Sequence, residues 1–290
     1  MTIAAVRFSK KDARGPSAAS LRKVRSAMAR DGAVAFEGLF SLSLLRRLRR
    51  EVLRRHESGE LRARGLVRDI AGRYAAVLPF TGPFLSPALY AGPVLRGIVG
   101  ALLGGDARLS SLETVIALPG AVGQHQHVDG PLRFDRVLGR TRTPFRGDLS
   151  TLPPYAVSLA VPLCDQGEDN GPTALWPGSH RTALRPRPPG EAAVAREFPE
   201  ERMVGPFGRS YLFDFRLFHR GLPNLTREPR ALLVLVFTRS WYRDPNLAEV
   251  RSGLVLSGRD LARIPARHRD LFLLAPSARR GLWPGRPGGS

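Results

Sequence analysis

From Leu109 to Ser240 the chain reads as short β-prone runs separated by glycine and proline turns. The runs are Leu112–Leu118, Gly123–Asp129, Tyr155–Leu163, Thr173–Trp176, Ser210–Phe215 and Ala231–Ser240. Branched and aromatic residues suit a pleated surface, and glycine and proline punctuate it. Many short strands with such turns predict a sandwich or jelly roll, a mainly β domain with flanking helices. The helices come mostly from the first part of the chain. Ser20–Arg30 predicts a short helix ending at Asp31-Gly32, and Ala33–Phe36 a short strand. Ser41–His56 predicts a longer helix. Its Leu45, Leu48 and Val52 recur at helical spacing, with Arg46, Arg47, Arg49, Arg50, Arg54 and Arg55 filling the other positions. Arg73–Phe80 alternates as a strand, Ala88–Leu103 reads as a second helix, and Asp260–Leu273 gives a last helical signal. One domain over 18–275 is expected, with a flexible lead-in at 1–17 and a flexible tail at 276–290. The polar, arginine-rich segment 131–154 is expected to be an active-site loop.

The charge balance is +20, from 45 basic and 25 acidic residues. Lysine occurs only at Lys10, Lys11 and Lys23, so arginine carries the excess, and residues 1–68 hold 17 basic against 6 acidic residues. Such a balance invites a polyanion partner. An arginine bias accompanied by abundant Ala, Gly and Pro also has a compositional cause, a GC-rich coding sequence, and a solvated basic surface is the plainer reading. The basic region has no aromatic cluster of the kind that stacks on bases, which argues against nucleic acid. The longest apolar run, Ala231 to Phe237, is far short of a membrane span. The single cysteine, Cys164, cannot form an internal disulfide, and the first residues lack the apolar core of a signal peptide. A cytoplasmic protein is expected; its oligomeric state is left open.

Chemistry concentrates in Gly-Gln-His-Gln-His-Val-Asp-Gly, residues 123–130. Along a strand, residues i and i+2 share a face, so His127 and Asp129 are able to grip one ion. A third ligand must come from elsewhere, and His219, just past a predicted strand, is the candidate. Two histidines and one carboxylate form the facial triad that leaves open positions on non-haem Fe(II). Arg230 opens the very apolar strand Ala231–Phe237, where a buried cationic fork needs an anionic partner. The terminal carboxylate of 2-oxoglutarate would be one, as a bidentate pair. Taken alone, HxD is a weak signal, and a strand-start arginine is unremarkable in an arginine-rich chain.

Four segments together resemble the phytanoyl-CoA dioxygenase family. They are Gln124-x-x-His127-x-Asp129; Asn170-Gly-Pro-Thr-Ala-Leu-Trp-Pro-Gly-Ser-His180; His219-Arg-Gly-Leu-Pro-Asn224 followed by Arg230; and the opening element from Asp31-Gly32 through Leu39. The resemblance implies a double-stranded β-helix (a cupin-like jelly roll) that uses Fe(II), 2-oxoglutarate and O2 and releases succinate and CO2. It implies His127, Asp129 and His219 as metal ligands and Arg230 as the 2-oxoglutarate anchor, with Arg73 near that cosubstrate; Gln124 is a candidate contact to 2-oxoglutarate or substrate, with a structural hydrogen bond as the alternative. Asp129 favours hydroxylation, since halogenating relatives lack this carboxylate, although desaturation or ring formation uses the same ligands. Many relatives carry a tryptophan on the strand before the Asn-Gly-Pro segment, and Tyr155–Leu163 has none. His180 reads as a turn residue. His125, Arg133 and Arg142 are candidate substrate contacts, and the five arginines of the 131–154 loop suggest an anionic group on a small-molecule substrate. Two other readings remain: a non-catalytic jelly roll binding a polyanion, and a nucleic-acid demethylase of the same chemistry. Iron-dependent succinate formation separates the first from an enzyme, and salt-sensitive binding tests the polyanion.

Overall fold

The computed structural model of the protein describes residues 3–63, 67–70, 72–130, 152–182, 190–242, 254 and 256–272. Eleven strands fall in this part of the chain. They are β1 (Ala5–Arg7), β2 (Ala33–Glu37), β3 (Val67–Ile70), β4 (Arg73–Val77), β5 (Arg108–Ala117), β6 (Ala156–Pro162), β7 (Thr173–Leu175), β8 (Glu201–Arg202), β9 (Ser210–Asp214), β10 (His219–Gly221) and β11 (Arg230–Thr238). Eight make one sheet in the order β1-β2-β9-β6-β11-β5-β4-β3, and β10-β7-β8 make a smaller one. All pairings are antiparallel except β1 with β2.

Alternation along the central strands builds two cores. Val157, Leu159 and Val161 of β6, with Leu233, Leu235 and Phe237 of β11, join the larger cluster together with the helices. The intervening residues Ala160 and Leu232 lie in a second cluster with Leu175 of the small sheet and Tyr211 and Phe213 of β9. Strands buried on both faces read as continuous apolar runs, which is why Ala231–Phe237 shows no polar alternation. A fully buried side chain of this size stabilises the fold by about 1.5–3 kcal/mol.

Helix α1 (Ala18–Asp31) starts where the Ser17 side chain accepts from Ser20 N–H, and stops at Gly32 in a left-handed conformation (φ 71°). Helix α2 (Leu42–Glu57) is capped likewise by Ser41 and buries Leu44, Leu45, Leu48 and Val52. Arg46, Arg47, Arg49 and Arg50 are exposed. Arg55 is buried, and its charge is met by Glu51 and Glu60. The helix is thus an amphipathic cover on the larger core.

Several expectations are corrected. The lead-in is not loose over its apolar residues: β1 pairs with β2, Ile3, Val6 and Phe8 are buried, and Phe8 packs on Phe36 at a ring separation of 5.7 Å. The helix expected over 88–103 is two, Pro87–Tyr90 and Pro93–Leu103, because Pro93 donates no N–H and disfavours a helical Gly92. The segment 123–129 is not a regular strand. Its only bridge is His127 with His219, flanked by hydrogen bonds from Gln124 N–H to the Gly221 carbonyl (2.9 Å) and from Asp129 N–H to the Phe215 carbonyl (3.1 Å). The helical signal at 260–273 resolves into Gly258–Arg263 and a 3-10 turn at Ala266–Phe272. Residues 131–151 of the expected loop, with Arg133 and Arg142, lie outside the described residues, as does the tail at 276–290. No described helix is long and apolar enough to cross a membrane.

Candidate active site

Three loop and strand ends converge between the sheets. Asp129 and Gly130 both donate to the Phe215 carbonyl, and His127 and His219 exchange backbone hydrogen bonds at 2.8 and 2.9 Å. That pairing carries the 123–130 segment alongside β10. The ligand atoms of His127, Asp129 and His219 all lie within 4.8 Å of one another. His219 Nε2 is 3.4 Å from Asp129 Oδ1, and the two imidazole centroids are 4.4 Å apart.

Each imidazole is held in the same way. His127 Nδ1 lies 2.8 Å from the His125 carbonyl, and His219 Nδ1 lies 3.0 Å from the Leu217 carbonyl. A carbonyl only accepts, so each Nδ1 carries a proton, which leaves Nε2 as the nitrogen that would ligate a metal. Such backing orients a metal-binding imidazole. Asp129 Oδ2 accepts from Ser158 Oγ at 3.0 Å. Burial pushes the Asp129 carboxyl up, but the charges of His219 and His127 and the hydrogen bonds from His219 and Ser158 more than offset it, leaving it well below the usual range. For His219, burial works downward and the Asp129 carboxylate upward, and the net direction is up. A doubly charged cation would be a stronger counter-charge to Asp129 than a protonated imidazole.

The turn before His219 is fixed by a buried ion pair. Asp214 accepts from Arg216 Nε and Nη2, each at 2.7 Å, and Arg216 Nη1 reaches the Leu152 carbonyl. Both side chains are almost fully buried. This turn supplies both the Phe215 and the Leu217 carbonyls, so one local structure positions Asp129 and orients His219.

Beyond the histidines sit two buried arginines. Arg230 of β11 and Arg73 of β4 both lie opposite Ala117 of β5, and each is 2% exposed. Arg73 donates to Gln124 Oε1 (3.2 Å) and to the Leu222 carbonyl (2.5 Å); Arg230 donates to the Gly171 carbonyl. Gln124 Oε1 also accepts from Gly221 N–H at 2.9 Å, so Gln124 ties Arg73 to β10. Gly221 is two residues from His219, about 7 Å along the strand. Among the described residues, Arg73 Nε, Arg230 Nε and Arg230 Nη1 have no hydrogen-bond partner. Burial brings Arg230 down to about 9, aided by the Arg73 charge, and burial brings Arg73 to about 10. No carboxylate pairs with either arginine among the described residues. A pair of cations buried in this way calls for an anion between them.

His125, a candidate substrate contact, has a fully exposed side chain 3.7 Å from Glu191, and only its carbonyl reaches the metal set. His180 is 4% exposed and lies against Gly32, where a Cβ would press on its Nδ1. It is part of the scaffold, as the sequence suggests. Sequence reasoning passed over Ser158, although it is the one hydroxyl in the apolar strand Ala156–Pro162. Gly221, quoted in the sequence only as part of the His219–Asn224 turn, has a further role: a Cβ there would overlap Arg73 Nη1.

A sequence profile of the family described as Phytanoyl-CoA dioxygenase (PhyH) matches residues 28–232. Similar solved structures include EctD from S. alaskensis with 2-oxoglutarate and 5-hydroxyectoine, 22% identical with a TM-score of 0.62, over 82% of this chain and 81% of that one. They also include the non-heme alpha ketoglutarate dependent epimerase SnoN from nogalamycin biosynthesis, 20% identical with a TM-score of 0.57, over 81% and 89%. AviO1 from Streptomyces viridochromogenes Tue57 is 18% identical with a TM-score of 0.53, over 74% and 93%. These likenesses show the jelly-roll fold, the profile covers well over half of the sequence, and the chain therefore belongs to the phytanoyl-CoA dioxygenase family of Fe(II)- and 2-oxoglutarate-dependent oxygenases.

Proposed function

We propose that this protein hydroxylates a small molecule, with His127 Nε2, His219 Nε2 and an Asp129 oxygen holding Fe(II) and with Arg230 and Arg73 receiving the distal carboxylate of 2-oxoglutarate. One observation carries the reading. A two-histidine, one-carboxylate set with both Nδ1 atoms backed by carbonyls stands beside two buried arginines that lack an anionic partner among the described residues. The donor set suits a first-row metal that keeps open positions. The orphaned guanidinium nitrogens suit a dicarboxylate, which would restore the hydrogen bonds they now lack. A related fold, EctD, has been solved both with bound Fe and with 2-oxoglutarate.

Bound together, iron, 2-oxoglutarate and O2 supply an oxidation in which one oxygen atom goes to succinate and the other to the substrate, with loss of CO2. The chain's own groups set the stage for it. Leu217 and His125 carbonyls fix the imidazole tautomers. Ser158 occupies one oxygen of Asp129 and leaves the other for the metal. Gln124 holds the Arg73 fork toward the space beside Gly221.

The test is anaerobic addition of 2-oxoglutarate to the Fe(II)-loaded protein, followed by succinate measurement in air. A visible charge-transfer band and iron-dependent succinate are expected. Neither appearing in a protein that binds iron would overturn the assignment.

A further inference from the structure

The inner face of β5 carries a charge that the metal and 2-oxoglutarate do not use. Register places Ser111, Glu113, Val115 and Ala117 on that face. Glu113 sits between Val234 of β11 and Val77 of β4, with Ala160 of β6 beyond Val234. It is half-buried, as are Val115 and Val234, so this row borders open space between the sheets. The next row, Ser158, Val236 and Ser111, underlies the metal set, because Ser158 binds Asp129.

Glu113 accepts one hydrogen bond, from Ser111 Oγ. Among the described residues no arginine, lysine or histidine pairs with it. The nearest buried cations along the face, Arg73 and Arg230, stand opposite Ala117, four residues and roughly 13 Å away at the rise of a strand. Burial pushes the Glu113 carboxyl up, and the Asp129 charge pushes it further. A carboxyl group set in a row of valines, with one hydroxyl as its partner among the described residues, is a ready acceptor for a cation.

We infer that the space beside His127, Asp129 and His219 takes a substrate bearing a cationic nitrogen, a protonated amine or amidinium, which Glu113 receives while Val115 and Val234 pack against its apolar part. This deepens the proposed oxygenase reading and rests on it. It assigns Glu113 as a specificity-determining residue. It also differs from the anionic substrate that the arginines of 131–154 suggest in the sequence.

The experiment uses the full chain loaded with Zn(II) and 2-oxoglutarate, so that no turnover intervenes. Ligand-observed NMR is run with butylamine, cyclohexylamine and piperidine, each beside its N-acetylated neutral counterpart. At least one cationic member is expected to bind about tenfold more tightly than its acetylated form, as a charge-assisted hydrogen bond implies. Glu113→Gln should remove that difference, and Glu113→Asp should keep its sign. Equal binding of the cationic and acetylated forms, binding by none of them, or an undiminished preference in Glu113→Gln would overturn the inference. The acetylation comparison needs only the wild type, so instability of a variant does not shield the proposal. Zinc and 2-oxoglutarate uptake, measured in parallel, tests the oxygenase reading by itself, and cation preference on a chain that takes up neither would separate the two.

Discussion

The Arg73 guanidinium occupies the position that a side chain on Gly221 would need: a Cβ there would overlap Nη1. The glycine of His219-Arg220-Gly221 is therefore a clearance for a cation from a strand far away in sequence. Gly221→Ala should displace Arg73, break its contact with Gln124 and weaken 2-oxoglutarate binding by about tenfold or more, the worth of a hydrogen bond to a charged group. Iron affinity should change far less. Calorimetric titration of 2-oxoglutarate and of metal in the same variant checks both halves.

Arg230 should show opposite effects on binding and on folding. Arg230→Met removes a buried cation that has no carboxylate partner among the described residues, so the ligand-free protein should melt at the same temperature or higher. The 2-oxoglutarate requirement should rise by two or more orders of magnitude, corresponding to about 3–5 kcal/mol for a broken buried pair. Melting curves with and without 2-oxoglutarate read both: the wild type should gain stability on adding it, and the variant should not.

His127→Ala and His219→Ala should each abolish iron retention with little change in the circular dichroism of the sheets. Ser158→Ala is a milder version. Asp129 keeps its place but loses the hydroxyl that steadies it, and iron affinity should fall about 10–100-fold. Competition against a chelator measures it, and unaltered affinity in Ser158→Ala would remove the orienting role.

His180 predicts an acid-sensitive fold. Burial, its largest influence, brings it down to about 4, with the Arg216 and Arg181 charges helping and Asp214 opposing. The ordinary value in the unfolded chain is about 6.5. The unfolded state therefore takes up the proton first as pH falls. Stability from this group is complete above pH 6.5, declines from there, and is fully lost below about 4. The total is on the order of 3 kcal/mol. Urea unfolding at pH 7 and pH 4.5 should show a larger loss for the wild type than for His180→Gln, and identical losses would contradict it.

Chemical type and spacing made part of this molecule readable in advance. His127 and Asp129 share a face because they are two apart in extended backbone, and Arg230 is conspicuous at the mouth of an apolar run. The premise survived although 123–129 is not a regular strand, since an extended segment bridged to β10 keeps the same side-chain phase. Other features depend on which strands become neighbours. Nothing in Val77, Glu113 and Val234 reveals that they form one row, and nothing near Gly221 points to Arg73. β1 escaped notice because three residues with a single buried side chain give no period to detect.

The imidazole of His127 is oriented by the carbonyl of residue 125, whose own side chain stands entirely in solvent. Backbone does the structural job, so the identity of that side chain is uncoupled from the imidazole two residues away. Position 125 is thus an attachment point. A cysteine there, with Cys164 first replaced, would carry a spin label or fluorophore close to the proposed iron site, where it would report metal loading or the arrival of a substrate while leaving the hydrogen bond that orients His127 in place.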